Sequence, residues 1–346
     1  MSKRFYNGQG KRNSEPLILP TINHDIQTTP EGYLATADLA AAVDTALTLG
    51  MPLLLTGEPG SGKSALAKSI AWEVLGENEK PLEFTVKSDT RATDLFYRFD
   101  TVGRFHAANA PDGEVSAKNF LHFNAMGRAI LQAKPFKYTQ DLLQSEQRAQ
   151  QVHTGEQKRS VVLIDEIDKA PRDVPNDMLV ELERLCFDIH ELQTLVELEG
   201  DECNHQPIII ITSNSEKALP EAFLRRCVYH HLEFPAFDAE EGNTVTVRDI
   251  VDRRLGNRFT WEEGLLKDAI SWFKFLRQVR GIEKKPSMAE FLSWLEYLQA
   301  TNPHATELNP DSVQLQQSIS HVLLKKSQDQ DQAQCKQWLS QWKAED

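Results

Sequence analysis

The sequence predicts an α/β fold: a buried parallel sheet carrying a phosphate-binding loop, followed by an all-helical region. Three observations predict it. The apolar run LLL at 53–55 leads directly into Gly57-Glu58-Pro59-Gly60-Ser61-Gly62-Lys63-Ser64 and then into good helix formers at 65–74. The runs VVLI at 161–164 and PIIIIT at 207–212 are continuous rather than alternating, the pattern of strands buried on both faces of a parallel sheet. From Ala236 onward strand-like runs disappear and helical spacing takes over.

Taken in order, residues 1–30 read as irregular, broken by Pro16, Pro20 and Pro30, with Lys3, Arg4, Lys11 and Arg12 forming a short basic arm. Residues 38–49 carry an amphipathic helical pattern, and PLEFTV at 81–86 is the second strand. The stretch 88–125 is aromatic-rich at 94–100 and 104–106, turn-prone at 107–113 and helical in spacing at 120–131. It reads either as helix, surface loop and helix, or as an insertion projecting from a core domain. Residues 137–158, rich in glutamine and charge, read as a flexible loop or fraying helix. Residues 176–186 place Met178, Leu179, Leu182 and Leu185 at helical core spacing, and 187–189 with 194–198 alternate as a hairpin would. LPEAFLRRC at 219–227 is a short helix before a fifth strand at 228–234. Beyond it, 249–255, 262–279 and 287–298 are helical, with Trp261, Trp272, Phe273, Phe275, Leu276, Phe291, Trp294, Leu295 and Leu298 as their core. A polar linker at 301–312 precedes a helix at 312–324 and a short one at 338–342.

The chemistry concentrates at two strand ends. Gly57, Gly60 and Gly62 let the backbone turn so that consecutive N–H groups face one anion. The following helix N-terminus adds positive potential. Lys63 can reach the β- and γ-phosphates of a nucleotide and Ser64 can ligate Mg²⁺. An ordinary glycine-rich turn is the plainer alternative; the full Gly-x4-Gly-Lys-Ser pattern in a strand–loop–helix context disfavours it. The run at 161–164 ends in Asp165-Glu166. Two carboxylates there are costly unless they sit at the C-terminal edge of the sheet, where open α/β sheets bind ligands. Asp165 is then placed to hold Mg²⁺ and Glu166 to polarise an attacking water. Asn214, just past the run at 207–212, reads either as a group orienting that water or as a turn residue. Arg225 and Arg226 read either as surface cations favoured by a helix C-terminus or as groups reaching a phosphate in a neighbouring subunit. His230 and His231 read as structural or partly exposed rather than catalytic.

Length bounds the rest: 346 residues suggest two or three domains. A formal net charge of −13 argues against general affinity for nucleic acid. No apolar run approaches the roughly 18 residues of a membrane span, and the N-terminal stretch lacks the apolar core of a signal peptide. The four cysteines never form Cys-x-x-Cys, consistent with reduced thiols in a cytoplasmic protein.

Together these residues resemble the AAA+ ATPases, most closely their MoxR-like branch, over residues 33–300. GEPGSGKS at 57–64 matches the Walker A motif and VVLIDEIDKA at 161–170 the Walker B motif. Ser213-Asn214 matches sensor 1, and 219–227 the segment carrying the arginine finger. The MoxR-like assignment rests on the aromatic segment 94–106, the hairpin at 187–198 and KKPSMAEFLSWL at 284–295. The resemblance implies a P-loop NTPase three-layer αβα core with a five-stranded parallel sheet, order 5-1-4-3-2, plus a small all-α lid domain. It divides the chain into the arm 1–30, a core 31–236 with an insertion near 90–125 and a flexible loop 137–158, a lid 237–300 and a helical extension 301–346.

The resemblance further implies ATP and Mg²⁺ as ligands. Residues 57–64 and Asp165 would bind ATP, with Ser64 and Asp165 holding the metal. Glu166 would be the base, Asn214 would position the water, and Arg226, with Arg225 as runner-up, would be the finger from the next subunit of a homo-hexameric ring. The stretch 105–113 would face the pore or a protein client, and a von Willebrand A domain protein would be a partner. One departure stands out: the lid arginine of that branch falls at Ala289, two residues after Ser287, leaving Arg280, Lys284 and Lys285 as alternative cations. A nucleic-acid motor or loader, and a nucleotide-switched scaffold with little turnover, are the competing readings on the same fold.

Overall fold

The computed structural model describes residues 6, 8, 10, 29–108, 116–215, 219–239, 245–256, 263–302 and 304–345. The chain forms two compact units: residues 35–58 with 63–233, and residues 59–62 with 234–346 and those up to Leu34.

The first unit contains nine strands among its described residues: β1 (Leu53–Gly57), β2 (Leu82–Thr85), β3 (Tyr97–Phe99), β4 (Leu121–Phe123), β5 (Val161–Asp165), β6 (Cys186–Ile189), β7 (Thr194–Glu197), β8 (Ile208–Thr212) and β9 (Val228–Leu232). Five of them form one parallel sheet in the order β2-β5-β8-β1-β9. Counted among themselves in chain order, these five strands read 5-1-4-3-2 from the β9 edge, the expected order. β1 and β8 are buried along their whole length, as their continuous apolar runs require, whereas the edge strands β2 and β9 alternate in exposure. The registers Leu55↔Thr212 and Ile164↔Ile211 bring the C-terminal ends of β1, β8 and β5 side by side. Lys63, Ser64, Glu166 and Asn214 follow those ends and Asp165 closes β5, whereas Arg225 and Arg226 precede β9.

Helix Ala125–Ala133 is buried on nearly every side. A Cβ at Gly127 would collide with the Phe96 carbonyl, so only glycine permits this approach. The helical spacing at 120–131 begins later than expected, because Leu121 and Phe123 face inward on either side of His122 in β4, which pairs antiparallel with β3. Between these two strands helix Thr101–Ala108 buries no residue and leaves Val102 and Phe105 about two-thirds exposed, at 66% and 68%. The stretch expected at 105–113 lies partly outside the described residues.

The hairpin of β6 and β7 is antiparallel, as its alternation predicts. Its Phe187 stacks on Phe96 at 5.3 Å between centroids and also meets Tyr97 and Phe123, while the Tyr97 hydroxyl donates to Glu191 at 3.0 Å. The segment 137–158, read as a flexible loop or fraying helix, forms helices Phe136–Leu143 and Glu146–Val152, so the loop reading is the one corrected. Arg148 donates to the carbonyls of Lys118 and Leu121, and Leu142, Leu143, Ala149 and His153 are buried. His153 is bonded on both ring nitrogens, to the Lys134 carbonyl at 2.8 Å and to the Gly155 amide at 3.0 Å. A few apolar positions in a polar composition were too sparse to show a period.

The second unit contains helices Val247–Leu255, Glu263–Gln278, Met288–Thr301, Val313–Ser318 and Gln332–Glu345 around one apolar cluster. Phe273 and Phe291 stack at 4.0 Å with their planes 6° apart. Two buried indole groups find partners: Trp294 donates to Ser318 and Trp342 to Ser271, both at 2.9 Å, whereas the indole N–H of the fully buried Trp272 has none. Cys335, Trp338, Leu339 and Trp342 share one helical face, so the helix expected at 338–342 is longer than its two tryptophans alone suggest. Phe275 is only partly buried, and Trp261 and the basic arm's lysines and arginines lie outside the described residues. No helix among the described residues is long and apolar enough to cross a membrane.

Candidate functional site

β1 ends at Gly57, whose φ of 143° and whose closeness to Leu232, 2.6 Å from a would-be Cβ to the carbonyl oxygen, exclude a side chain. Gly60 and Gly62 also have positive φ, 76° and 96°. In the second unit, a Cβ at Gly60 would lie 2.7 Å from the Ser287 hydroxyl. Ser61 Oγ is buried without a hydrogen-bond partner, a group that an anion oxygen would satisfy.

Lys63 opens the next helix and is 7% exposed. Its Nζ donates to the carbonyls of Gly57 at 2.8 Å and Glu58 at 2.9 Å and to Asn214 Oδ1 at 3.0 Å. Burial pulls the pKa of its ammonium down, opposed by the charges of Asp165, Asp168, Glu166 and Glu58. Asp165, at the end of β5, accepts from Ser64 Oγ at 2.9 Å and from Thr212 Oγ1 at 2.5 Å, both on Oδ1. A serine hydroxyl and a carboxylate already in contact form the hard-oxygen donor set that suits Mg²⁺. Among the described residues no group of three or more His, Cys, Asp or Glu could hold a metal by itself.

Glu166 adopts the left-handed conformation, φ 61° and ψ 47°, uncommon for a residue with a side chain. Its N–H donates to Thr212 Oγ1 at 3.0 Å, and its carboxylate accepts from Lys169 Nζ at 2.5 Å. That bond is the main cause of a raised pKa at Lys169. The backbone N–H of Asn214 donates to Asp168 Oδ1 at 3.0 Å.

The structure therefore gathers these residues into two adjacent hydrogen-bonded sets, Lys63 with Asn214 and Asp168, and Ser64 with Asp165, Thr212 and Glu166, close enough for the charges of Asp165 and Glu166 to act on Lys63. Arg225 and Arg226 are not joined to either set. Arg226 Nε donates to Glu183 at 3.1 Å and its Nη1 to the Ala222 carbonyl at 3.2 Å, while Arg225 pairs with Glu221 at 3.3 Å. Lys284 pairs with Glu290 at 3.6 Å, and Ser287 caps the helix that carries Ala289. His230 lies 3.5 Å from Asp38 and His231 bonds to the buried Thr56, structural roles in the edge strand. Two residues escaped the sequence reading: Thr212 and Asp168. The signal for Thr212 was present, since a hydroxyl closing an all-isoleucine, doubly buried run needs a partner.

A family model described as "AAA domain (dynein-related subfamily)" matches residues 52–227, a stretch that contains every predicted site residue. A search of curated proteins finds no match. Among solved structures the chain is similar to the S. cerevisiae Hsp104-ADP complex, at 17% identity and a TM-score of 0.42, covering 80% of this chain. It spans 46% of that chain's length.

Proposed function

This chain belongs to the AAA domain family, in its dynein-related subfamily, and from that premise we propose that it hydrolyses ATP to ADP and phosphate with Mg²⁺. Its turnover would drive remodelling or chaperone-like assembly of a protein partner by a homo-hexameric ring of the MoxR-like type. The observation that carries this reading is the pair of hydrogen-bonded sets at the ends of β1, β5 and β8, Lys63 with Asn214 and Ser64 with Asp165 and Thr212.

In this reading Lys63 exchanges neutral acceptors for phosphate oxygens, which are stronger partners. Ser64 and Asp165 are the protein ligands of Mg²⁺, which when bound supplies neutralisation of phosphate charge. Glu166 parts from Lys169 and takes a proton from the attacking water, and Asn214 orients that water. Arg226, half-exposed beside Glu183, reaches the phosphate of an adjacent copy, with Arg225 as the alternative finger. The exposed Val102 and Phe105 offer an apolar contact for a protein client. A von Willebrand A domain partner and a cytoplasmic location complete the proposal; the cysteines are free thiols.

A second reading, a nucleotide-switched scaffold with little turnover, is favoured by the ion pairs that occupy Glu166 and Arg226. Steady-state phosphate release separates the two. Arg226→Ala should lower turnover by about 10³-fold, with ATP affinity nearly unchanged, and wild-type activity per chain should rise with protein concentration. Full activity of Arg226→Ala would remove it from the mechanism.

A further inference from the structure

We propose that Thr212 is a positioning residue that fixes both acidic groups of the site, setting Asp165 for the metal and Glu166 for the water. This rests on the ATPase reading and deepens it.

Asp165 closes β5 and Glu166 follows it, whereas Thr212 closes the neighbouring strand β8. The residue is 1% exposed. A hydroxyl has one proton to give and lone pairs to receive. Here the proton goes to Asp165 Oδ1 at 2.5 Å, and the Glu166 amide donates to the hydroxyl oxygen at 3.0 Å. The directions are fixed, because a carboxylate only accepts and an amide N–H only donates. Asp165 Oδ1 thus receives two hydroxyls, Thr212 on one side and Ser64 on the other at 2.9 Å, which holds the carboxylate in one orientation.

The bond to the Glu166 amide has a separate consequence. A glutamate at φ 61° persists only where its surroundings over-determine it. The Thr212 hydroxyl satisfies the amide of that turn, so the direction in which the Glu166 side chain leaves the backbone depends on a neighbouring strand. Groups behind a ligand that orient it commonly change metal affinity or activity by about 10–100-fold when removed.

Thr212→Val keeps the shape and removes the hydroxyl; Thr212→Ser keeps the hydroxyl. Binding of a fluorescent ATP analogue is measured in EDTA and across a Mg²⁺ titration, with phosphate release and thermal midpoint alongside. For Thr212→Val the expected result is unchanged affinity in EDTA and a Mg²⁺ midpoint for tightened binding raised about tenfold. Turnover should be lower by about 10²-fold. Thr212→Ser should restore both to within about threefold, while a merely structural loss in Thr212→Val would lower its thermal midpoint and its EDTA affinity without singling out the Mg²⁺ midpoint. A wild-type Mg²⁺ midpoint in Thr212→Val, or a Thr212→Ser variant as impaired as the valine, would overturn the proposal. Glu166→Gln, assayed in parallel, separates the two levels. If it turns over like wild type, the ATPase mechanism fails; if it is inactive while Thr212→Val is normal, only the positioning role fails.

Discussion

Glu166→Gln is expected to bind ATP with near wild-type affinity and to lose turnover. The amide preserves size, and the backbone N–H bond to Thr212 does not involve the altered atoms. What disappears is the proton acceptor for the attacking water, a loss worth about 10²–10⁴-fold in rate. The ion pair with Lys169, at 2.5 Å, also disappears, but it is partly solvent-exposed and adds little to stability. Phosphate release measured beside binding of a fluorescent ATP analogue checks the split between rate and affinity. Undiminished turnover would place the base elsewhere.

Lys63→Ala is expected to fail one step earlier, at nucleotide binding. The ammonium is nearly enclosed and its three acceptors are all uncharged. Hydrogen bonds from a charged donor to phosphate are worth roughly 1.5–3 kcal/mol each, so losing two of them lowers ATP affinity by about 10²-fold or more. The fold should survive, because the side chain anchors only its own loop and Asn214. A melting curve near wild type together with lost binding of the ATP analogue is the expected pair of results. Retained affinity would mean that the nucleotide lies elsewhere.

Much of the sheet was legible because its centre is buried on both faces. The runs VVLID and IIIIT carry no alternation, and that alone puts β5 and β8 inside. The glycine positions of the first loop were legible for a similar reason: Gly57, Gly60 and Gly62 sit where the backbone needs positive φ. The hairpin of β3 and β4 was not legible, since three-residue strands are too short to display a period of two. Nor were helices Phe136–Leu143 and Glu146–Val152, where Arg148 supplies by hydrogen bonding what the sparse apolar residues lack. At the site, the acidic pair and the lysine were readable as types in a pattern. Thr212 was readable only as a buried hydroxyl in need of a partner; its partners emerge only when β8 pairs with β5 and brings it to residues 46 and 47 positions away. The pairing of Arg226 with Glu183, 43 positions apart, is of the same kind.

Steady-state phosphate release by the purified wild-type chain, with and without Mg²⁺ and beside Lys63→Ala, tests the central claim most directly. The expected result is saturable release that needs Mg²⁺ and vanishes with Lys63. Release that is absent in the wild type, or that persists undiminished in Lys63→Ala, would contradict the account.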